Sequence, residues 1–182
     1  AMTLDTRFQI ASMTKPVIAV AAMILIEEER LSLQDPVSEY VPGFANTRVV
    51  RERTEAGEWK TEPLATPITV RHLLTFSSGI GGYAETEDPL DQAWRSPDIE
   101  LAGLGTLADR VDRIPRLPLY EQPGTTWRYG WSADVLARVI EVAAGQPLDR
   151  FLRERIFDPL GLDHTGYPDE IEPGVPFARM YT

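Results

Sequence analysis

The stretch that decides the fold is Phe8-Gln9-Ile10-Ala11-Ser12-Met13-Thr14-Lys15-Pro16, which runs directly into an apolar segment ending at Ile26. The spacing predicts a helix that begins near Ser12, because serine is a preferred N-cap residue and Pro16 is tolerated in a first turn. Apolar residues in positions 17–26 cover every side of this helix, so we expect all of its faces to be buried. Ser12 and Lys15 are three residues apart and therefore share one face of it.

The Ser12–Lys15 pair has two interpretations. A capping serine followed by a surface lysine would show the same spacing. Alternatively, Ser12 is a nucleophile and Lys15 its base, because a helix N-terminus favours developing negative charge and a buried lysine, unlike an arginine, can lose its proton. The chain contains only two lysines, Lys15 and Lys60, against sixteen arginines, so a serine and a lysine at this spacing rarely meet by chance.

Composition excludes several function classes. The 182 residues carry a net charge of −10, which disfavours nucleic acid as a partner. There is no cysteine and only two histidines, so thiolate and histidine-rich metal sites are excluded, and no metal or cofactor is implied. The longest apolar run, residues 16–26, is too short to span a membrane. No signal peptide is visible, although the chain opens at Ala1 as though cut from a longer sequence, and its compartment stays open.

The rest of the chain is predicted to be rich in helices. Residues 47–67 are polar and indicate a loop or a weak hairpin, and residues 83–94 indicate a loop. Helical spacing occurs in four further segments: residues 69–75, residues 101–114, Ser132–Ala144 and residues 148–157. We expect Thr69 to cap the first of these and Gly145 to end the third.

A tyrosine precedes the third of these helices at a loop-to-helix junction. It belongs to Pro123-Gly124-Thr125-Thr126-Trp127-Arg128-Tyr129, which is followed by Gly130-Trp131. A tyrosine in such a place can share a proton with a lysine, although an ordinary core or interface tyrosine would look the same. Tyr129 therefore joins Ser12 and Lys15 as a candidate site residue.

Five segments in order resemble the serine β-lactamase-like hydrolases, which include class C β-lactamases, D-alanyl-D-alanine peptidases and family VIII carboxylesterases. The nucleophile segment quoted above is the first, and residues 123–129 are the fourth. The other three are Leu31-Ser32-Leu33-Gln34-Asp35-Pro36-Val37, His72-Leu73-Leu74-Thr75-Phe76-Ser77-Ser78-Gly79-Ile80 and Asp158-Pro159-Leu160-Gly161-Leu162. The resemblance implies an α/β (α+β) fold of the β-lactamase/transpeptidase-like type, in which helices pack on an antiparallel sheet.

The resemblance also implies roles for individual residues. Ser12 is the acyl-accepting nucleophile, and Lys15 and Tyr129 together form the general base, titrating as a coupled pair. The reaction is acyl transfer in two steps, acylation of Ser12 and then hydrolysis by water. The substrate is a small molecule: an ester, or a β-lactam or peptide.

One departure from the lactamase pattern narrows the expected class of substrate. Lactamases of this group carry Tyr-x-Asn, whereas this chain reads Tyr129-Gly130-Trp131, so an indole replaces the amide. An apolar wall suits an ester acyl chain, and residues 127–136 are closer to the family VIII esterases. We therefore expect a carboxylesterase acting on short-chain acyl esters, in which Trp131 either lines the pocket or packs in the core. The alternatives are a β-lactamase or D-alanyl-D-alanine peptidase, and an inactive binding or sensor domain of the same fold.

A third family motif, Lys-Thr-Gly or a variant on an edge strand, is expected beyond Thr182. His164-Thr165-Gly166 is a poor match, because it follows a turn and lacks strand-forming neighbours. We therefore expect residues 1–182 to be the helical part of a β-lactamase-like domain, without its N-terminal strands and most of its sheet.

Overall fold

The longest helix carries the stretch that decided the fold. The computed structural model describes residues 6–53, 59–82, 86–100, 105–167 and 177–178. Helix α1, Thr14–Glu27, follows directly from a 3₁₀ turn at Ala11–Met13. Pro16 lies in the first turn of α1, where a missing N–H costs no intrahelical hydrogen bond.

Besides short 3₁₀ and π-helical turns, the described residues form six shorter α-helices and one antiparallel pair of strands. The strands are β1, Arg48–Arg53, and β2, Trp59–Pro63. The remaining helices are α2, Val70–Leu74; α3, Pro89–Trp94; α4, Pro97–Glu100; α5, Leu107–Val111; α6, Ser132–Ala144; and α7, Leu148–Leu152. The architecture is therefore helix-rich with a single two-stranded sheet, as expected for the helical part of a β-lactamase-like fold.

The core lies where α1 packs against α6. Helix α1 buries Ile18, Ala21, Ala22 and Leu25 along one face, and the two alanines allow a close approach. Helix α6 contributes a broad apolar stripe, most of which is buried, and ends as predicted at Gly145 in the left-handed conformation.

The opposite face of α1 is open, so the prediction that the helix is buried on all sides is wrong. Val20 is 50% exposed and Met23 is 46% exposed, whereas Leu25 is fully buried. The helices α6 and α7 cover only one side of α1 within the described part of the chain. A helix that is apolar on every side is usually buried on every side, so another layer of structure would normally cover the exposed face of α1.

The polar segment 47–67 forms an antiparallel hairpin rather than a loop. Val49 pairs with Glu62 and Val50 with Thr61, and a bulge separates Val50 from Glu52. The segment at Leu119 extends this small sheet, because Val50 N–H donates to Leu119 and Leu119 N–H donates to Arg48. The hairpin is thus tied to the chain that leads towards Tyr129.

Two other predictions need correction. Residues 83–94 were predicted as loop, but α3 begins at Pro89 with Asp88 as its cap, accepting from Leu90 N–H at 2.8 Å. Residues 83–85 lie outside the described residues. In the described part of the segment predicted as a helix over 101–114, the α-helix is α5, which begins after a capping box formed by Thr106 and Asp109; residues 101–104 are not described.

The other two predicted helices are confirmed with altered ends. Thr69 caps α2 by accepting from His72 N–H. Helix α7 continues through a wider π-helical turn at Arg153–Phe157. Among the helices of the described ranges, none combines the length and apolar character needed to cross a bilayer.

Candidate active site

Ser12 and Lys15 are in direct contact. The Lys15 Nζ donates to Ser12 Oγ at 3.0 Å. Ser12 lies in the 3₁₀ turn, one residue before Met13, the N-cap of α1, and its hydroxyl is directed at side chains rather than at a backbone N–H. The simple capping interpretation of Ser12 therefore does not describe its contacts.

Tyr129 completes the same cluster from a distant part of the sequence. Its hydroxyl lies 2.6 Å from Ser12 Oγ, although 117 positions separate the two residues. Lys15 Nζ lies 4.8 Å from the centre of the Tyr129 ring. The hydrogen bond with Lys15, followed by that with Ser12, lowers the pKa of the Tyr129 phenol below its ordinary value. The structure therefore places three of the four predicted site residues within hydrogen-bonding reach.

Tyr129 is positioned by two chain segments that approach unusually closely. Residues 77–82 run beside residues 120–131, joined by hydrogen bonds such as Tyr120 N–H to Gly79 O at 3.0 Å and Gly124 N–H to Ser77 O at 2.7 Å. A Cβ at Gly79, which has φ +79°, would lie 2.2 Å from Glu121 O. A Cβ at Gly130 would lie 2.3 Å from Gly81 O. Only glycine permits this contact of backbone with backbone.

A buried pair of serines locks the two segments together at their inner edge. Ser78 and Ser132 are almost fully buried, and their hydroxyl oxygens lie 2.9 Å apart. Ser132 is the first residue of α6, so this bond fixes the start of the helix relative to the glycine-rich segment. We call residues 77–82 together with 120–131 the glycine platform.

The ring of Tyr129 is held by aromatic neighbours that the sequence analysis missed. Phe76 stacks on it with centroids 5.7 Å apart and an interplanar angle of 13°, and Trp127 lies 6.4 Å from it. Phe76 itself has φ +53°, which is rare for a residue with a large side chain. The Trp-Arg-Tyr run was visible in the sequence, but no local signal linked Phe76 to Tyr129.

The nucleophile candidate also follows an unusual backbone conformation. Ala11 has φ +43°, so the residue before Ser12 is left-handed without being glycine. Such a conformation costs about 1–2 kcal/mol and persists only where its surroundings enforce it. Ala11 and Phe76 thus place backbone strain on both sides of the contact between Ser12 and Tyr129.

A cavity of about 870 Å³ opens beside Ser12 and Lys15. Its wall is partly apolar, with Ile18, Leu107 and Leu148, and partly charged. The charged lining includes Arg110 of α5 and Asp134 of α6, which form an ion pair at 3.6 Å. Burial raises the pKa of Asp134, against the opposing influence of Arg110 and Lys15.

Trp131, the fourth predicted site residue, lies in the core. It is 7% exposed and is not among the residues that line this cavity. Its ring lies 5.6 Å from the Arg110 guanidinium carbon, and its backbone N–H donates to Gly81 O at 3.0 Å. The described residues contain no group of three or more His, Cys, Asp or Glu side chains arranged to hold a metal ion.

This arrangement can activate a hydroxyl. Lys15 donates to Ser12 Oγ, and the Ser12 and Tyr129 hydroxyls share a hydrogen bond in which either oxygen can be the donor. The geometry therefore supplies a nucleophile, a proton acceptor and a cation at one point.

Relatives of known sequence are similar to this chain along most of its length. Esterase EstB of Burkholderia gladioli is 34% identical over 165 residues, which cover 90% of this chain and 39% of the esterase. Lovastatin esterase of Penicillium rubens is 36% identical over 170 residues, covering 91% of this chain and 41% of that enzyme. The chain thus spans less than half the length of these curated relatives.

Solved structures agree on the fold. EstCE1, described as a hydrolase with promiscuous acyltransferase activity, superposes with a TM-score of 0.68 at 31% identity, over 88% of this chain and 39% of its own. The simvastatin synthase LovD from Aspergillus terreus gives a TM-score of 0.78 at 24% identity, over 96% and 43%, a likeness of fold alone. The Beta-lactamase family model matches residues 1–182. The chain therefore belongs to the Beta-lactamase family, and the relatives similar to it include proteins named as esterases and acyltransferases.

Proposed function

We propose that this protein is a serine hydrolase that forms an acyl-enzyme on Ser12, and that it acts as a carboxylesterase on short-chain acyl esters. The observation that carries the proposal is the position of Ser12 Oγ, 2.6 Å from the Tyr129 hydroxyl and 3.0 Å from Lys15 Nζ. A serine hydroxyl is a weak nucleophile unless a neighbouring group accepts its proton, and both partners are within reach.

In the acylation step, Ser12 Oγ attacks the ester carbonyl carbon while its proton passes to the Tyr129 oxygen. The lowered pKa of Tyr129 supports this role, because Lys15 stabilises the phenolate that accepts the proton. The tetrahedral intermediate then expels the alcohol, which takes the proton back from Tyr129. Water repeats the sequence on the acyl-enzyme and releases the acid, restoring the Ser12 hydroxyl.

The choice of esters over β-lactams rests on two observations. Trp131 replaces the asparagine of the Tyr-x-Asn pattern, so no amide is offered at that position. Two of the relatives are named as esterases. The alternative of a lactamase or D-alanyl-D-alanine peptidase is weaker, although a putative penicillin-binding protein of Bacillus subtilis is 31% identical.

Acyl transfer to an alcohol is the second candidate. A relative from Penicillium decumbens that is 32% identical over 87% of this chain is named as an acyltransferase, calJ. The acyl-enzyme on Ser12 would be the same, and an alcohol would replace water in the second step. Hydrolysis and transfer therefore share the first half of the mechanism and differ only in the acceptor.

We further propose that residues 1–182 are part of a β-lactamase-like domain and that turnover requires elements outside them. The open apolar face of α1, with Val20 and Met23 half exposed, supports this proposal. The rival from another class is a binding or sensor domain that keeps the fold without catalysis.

The first experiment is intact-mass analysis after incubation with a fluorophosphonate, which reacts only with an activated serine. We expect one adduct on the protein, its loss in Ser12→Ala and its retention in Ser96→Ala, a serine outside the site. If the chain is unreactive and a longer polypeptide carrying the same residues is also unreactive, the binding-domain interpretation replaces the enzyme.

A second experiment separates the catalytic alternatives once labelling is established. Turnover of a short-chain aryl ester is compared with turnover of a cephalosporin, and a primary alcohol is added as a competing acceptor. Faster ester turnover supports the carboxylesterase, and formation of the new ester identifies the acyltransferase. A preference for the cephalosporin would overturn the proposed substrate class.

A further inference from the structure

An exposed aromatic side chain lies beside the nucleophile. Trp127 is 67% exposed, although folded proteins bury most of the surface of their tryptophans. Its ring contacts are with Phe76 and Tyr129, each at a centroid distance of 6.4 Å. Tyr129 is itself 39% exposed, and its hydroxyl lies 2.6 Å from Ser12 Oγ. These three rings, which we call the aromatic cluster, therefore extend from the nucleophile to the solvent.

The rings of the aromatic cluster are arranged for stacking. Phe76 is inclined to the Tyr129 ring by 13° and Trp127 by 27°, so both lie nearly parallel to it. A flat apolar group placed on the exposed indole would continue this stack. Aromatic pairs in offset stacking gain stability beyond the apolar area that they bury, so the surface favours an aromatic ring over an aliphatic group of similar size.

The charge nearest to the indole along the chain is already engaged. Arg128 follows Trp127, but its guanidinium donates to the Glu121 carboxylate at 2.9 Å and lies 4.0 Å from the centre of the Tyr120 ring. Arg128 therefore provides no free cation for an anionic ligand on the indole. The exposed face of the aromatic cluster suits an uncharged ring.

The proposed mechanism indicates which half of an ester meets the aromatic cluster. When the tetrahedral intermediate collapses, the bond between the carbonyl carbon and the alcohol oxygen breaks, and that oxygen takes the proton from Tyr129. The alcohol oxygen must therefore lie within hydrogen-bonding reach of the Tyr129 hydroxyl. The cavity described above is lined by Ser12 and Lys15, and Tyr129 is not among its lining residues, so the cavity is the place for the acyl half.

We propose that the aromatic cluster binds the alcohol half of the ester, that the substrates are esters of arylalkyl alcohols such as benzyl esters, and that Trp127 sets this preference. The inference rests on the proposed function, because it assigns the half of the ester that Tyr129 serves. The same surface receives an arylalkyl alcohol in acyl transfer. The oxygen of that alcohol then bonds to the acyl carbon, its proton passes to Tyr129, and Ser12 Oγ leaves and takes the proton back.

The test compares the binding of two uncharged esters, benzyl acetate and cyclohexylmethyl acetate, which differ in the aromatic character of the ring. Dissociation constants are measured by NMR titration on Ser12→Ala, which lacks the nucleophile and so binds the esters without turnover. Adding Trp127→Ala should lower the preference for the benzyl ester by about 2–10-fold, the range that an aromatic pair contributes beyond buried area. Trp127→Phe keeps a ring at this position and should retain most of the preference.

Two further variants make the outcome decisive. Leu160 is 68% exposed and does not line the cavity, so Leu160→Ala removes a side chain of matched exposure and should leave the preference unchanged. If Trp127→Ala does not fold, Trp127→Leu replaces it, because leucine keeps an apolar side chain without a ring and should show the same loss.

A preference that survives the loss of the Trp127 ring would overturn the inference, and so would the absence of measurable binding of either ester. Trp127 would then serve only to hold the Tyr129 ring. The binding measurement needs no catalysis. Expected binding together with a failure of Ser12 labelling would therefore overturn only the proposed function, whereas labelling of Ser12 without the benzyl preference would overturn only the aromatic specificity.

Discussion

The two halves of the site are held in place by different means. Tyr129 sits on the glycine platform, where backbone meets backbone and a buried serine pair fixes the start of α6. Lys15 lies on α1 and Ser12 lies in the 3₁₀ turn that leads into it, and α1 is buried on the side of α6 and open on the side of Val20 and Met23. The comparison teaches that the position of the base depends on local close packing, whereas the position of the nucleophile depends on how firmly one helix is held.

The largest effect is expected from Tyr129→Phe, which removes the hydroxyl that the glycine platform positions beside Ser12. The rate of fluorophosphonate labelling at Ser12 should fall by about 10²–10⁴-fold, because the proton acceptor is lost. The melting temperature should hardly change, since the ring and its stacking on Phe76 remain. Tyr40→Phe is the control, because Tyr40 donates to Asp35 at 2.7 Å away from the site. Equal labelling in both variants would assign the proton to Lys15 alone.

The next largest effect concerns the platform itself and is expected from Gly79→Ala. The new Cβ would lie 2.2 Å from Glu121 O, and the residue has φ +79°, so we expect a loss of about 3 kcal/mol or more in unfolding free energy. Gly145→Ala is matched to it in φ, at +67°, but meets nothing within 4 Å. It should cost only about 1 kcal/mol.

Denaturant unfolding of both variants, with labelling at Ser12 as the second readout, checks this prediction. Gly79→Ala should also slow labelling because Tyr129 is displaced, whereas Gly145→Ala should not. Equal losses of stability in the two variants would mean that glycine is needed at position 79 for its left-handed backbone and not for the close approach of the two segments.

A smaller effect separates the two faces of α1. Leu25→Ala opens a cavity in the core and should cost about 3 kcal/mol in unfolding free energy. Met23→Ala, on the open face, should cost less than about 1 kcal/mol. The ratio of the two losses in chemical denaturation measures how one-sided the support of the nucleophile helix is. A large loss in Met23→Ala would show that the open face is covered in solution.

The features that could be predicted from the sequence are those with local signals. Helix α6 ends at Gly145, and α2 starts at Thr69, because a left-handed glycine and a capping threonine act within a few residues. The cap and proline at Asp88-Pro89 are equally local signals for the start of a helix, so α3 could also have been predicted. The predicted burial of α1 on all sides was wrong because the hydrophobicity of a helix shows which residues it can bury. It does not show which other elements pack against each face.

The site shows the same division. The contact of Ser12 with Lys15 could be predicted from the sequence, because residues three positions apart lie on the same side of a helical segment. The contact of Ser12 with Tyr129 spans 117 positions. The position of Tyr129 before a helix makes it a candidate, but only the family resemblance predicts that it acts on Ser12. Phe76, Arg110 and Asp134 lie near the site through tertiary packing, which leaves no period or motif in the chain to reveal them.

The smallest effect is expected from Ala11→Gly, and it bears most directly on the comparison. Each half of the site carries one left-handed residue that is not glycine, Ala11 before Ser12 and Phe76 beneath Tyr129. Glycine at position 11 removes a conformational cost of about 1–2 kcal/mol but adds about 0.4–1 kcal/mol of freedom to the unfolded chain, so unfolding free energy should rise by about 0.5 kcal/mol. If calorimetry shows this gain in unfolding free energy while fluorophosphonate labelling of Ser12 slows, the strained backbone at Ala11 orients the Ser12 side chain. A loss of stability would mean that the alanine is comfortable there and that α1 alone positions the nucleophile.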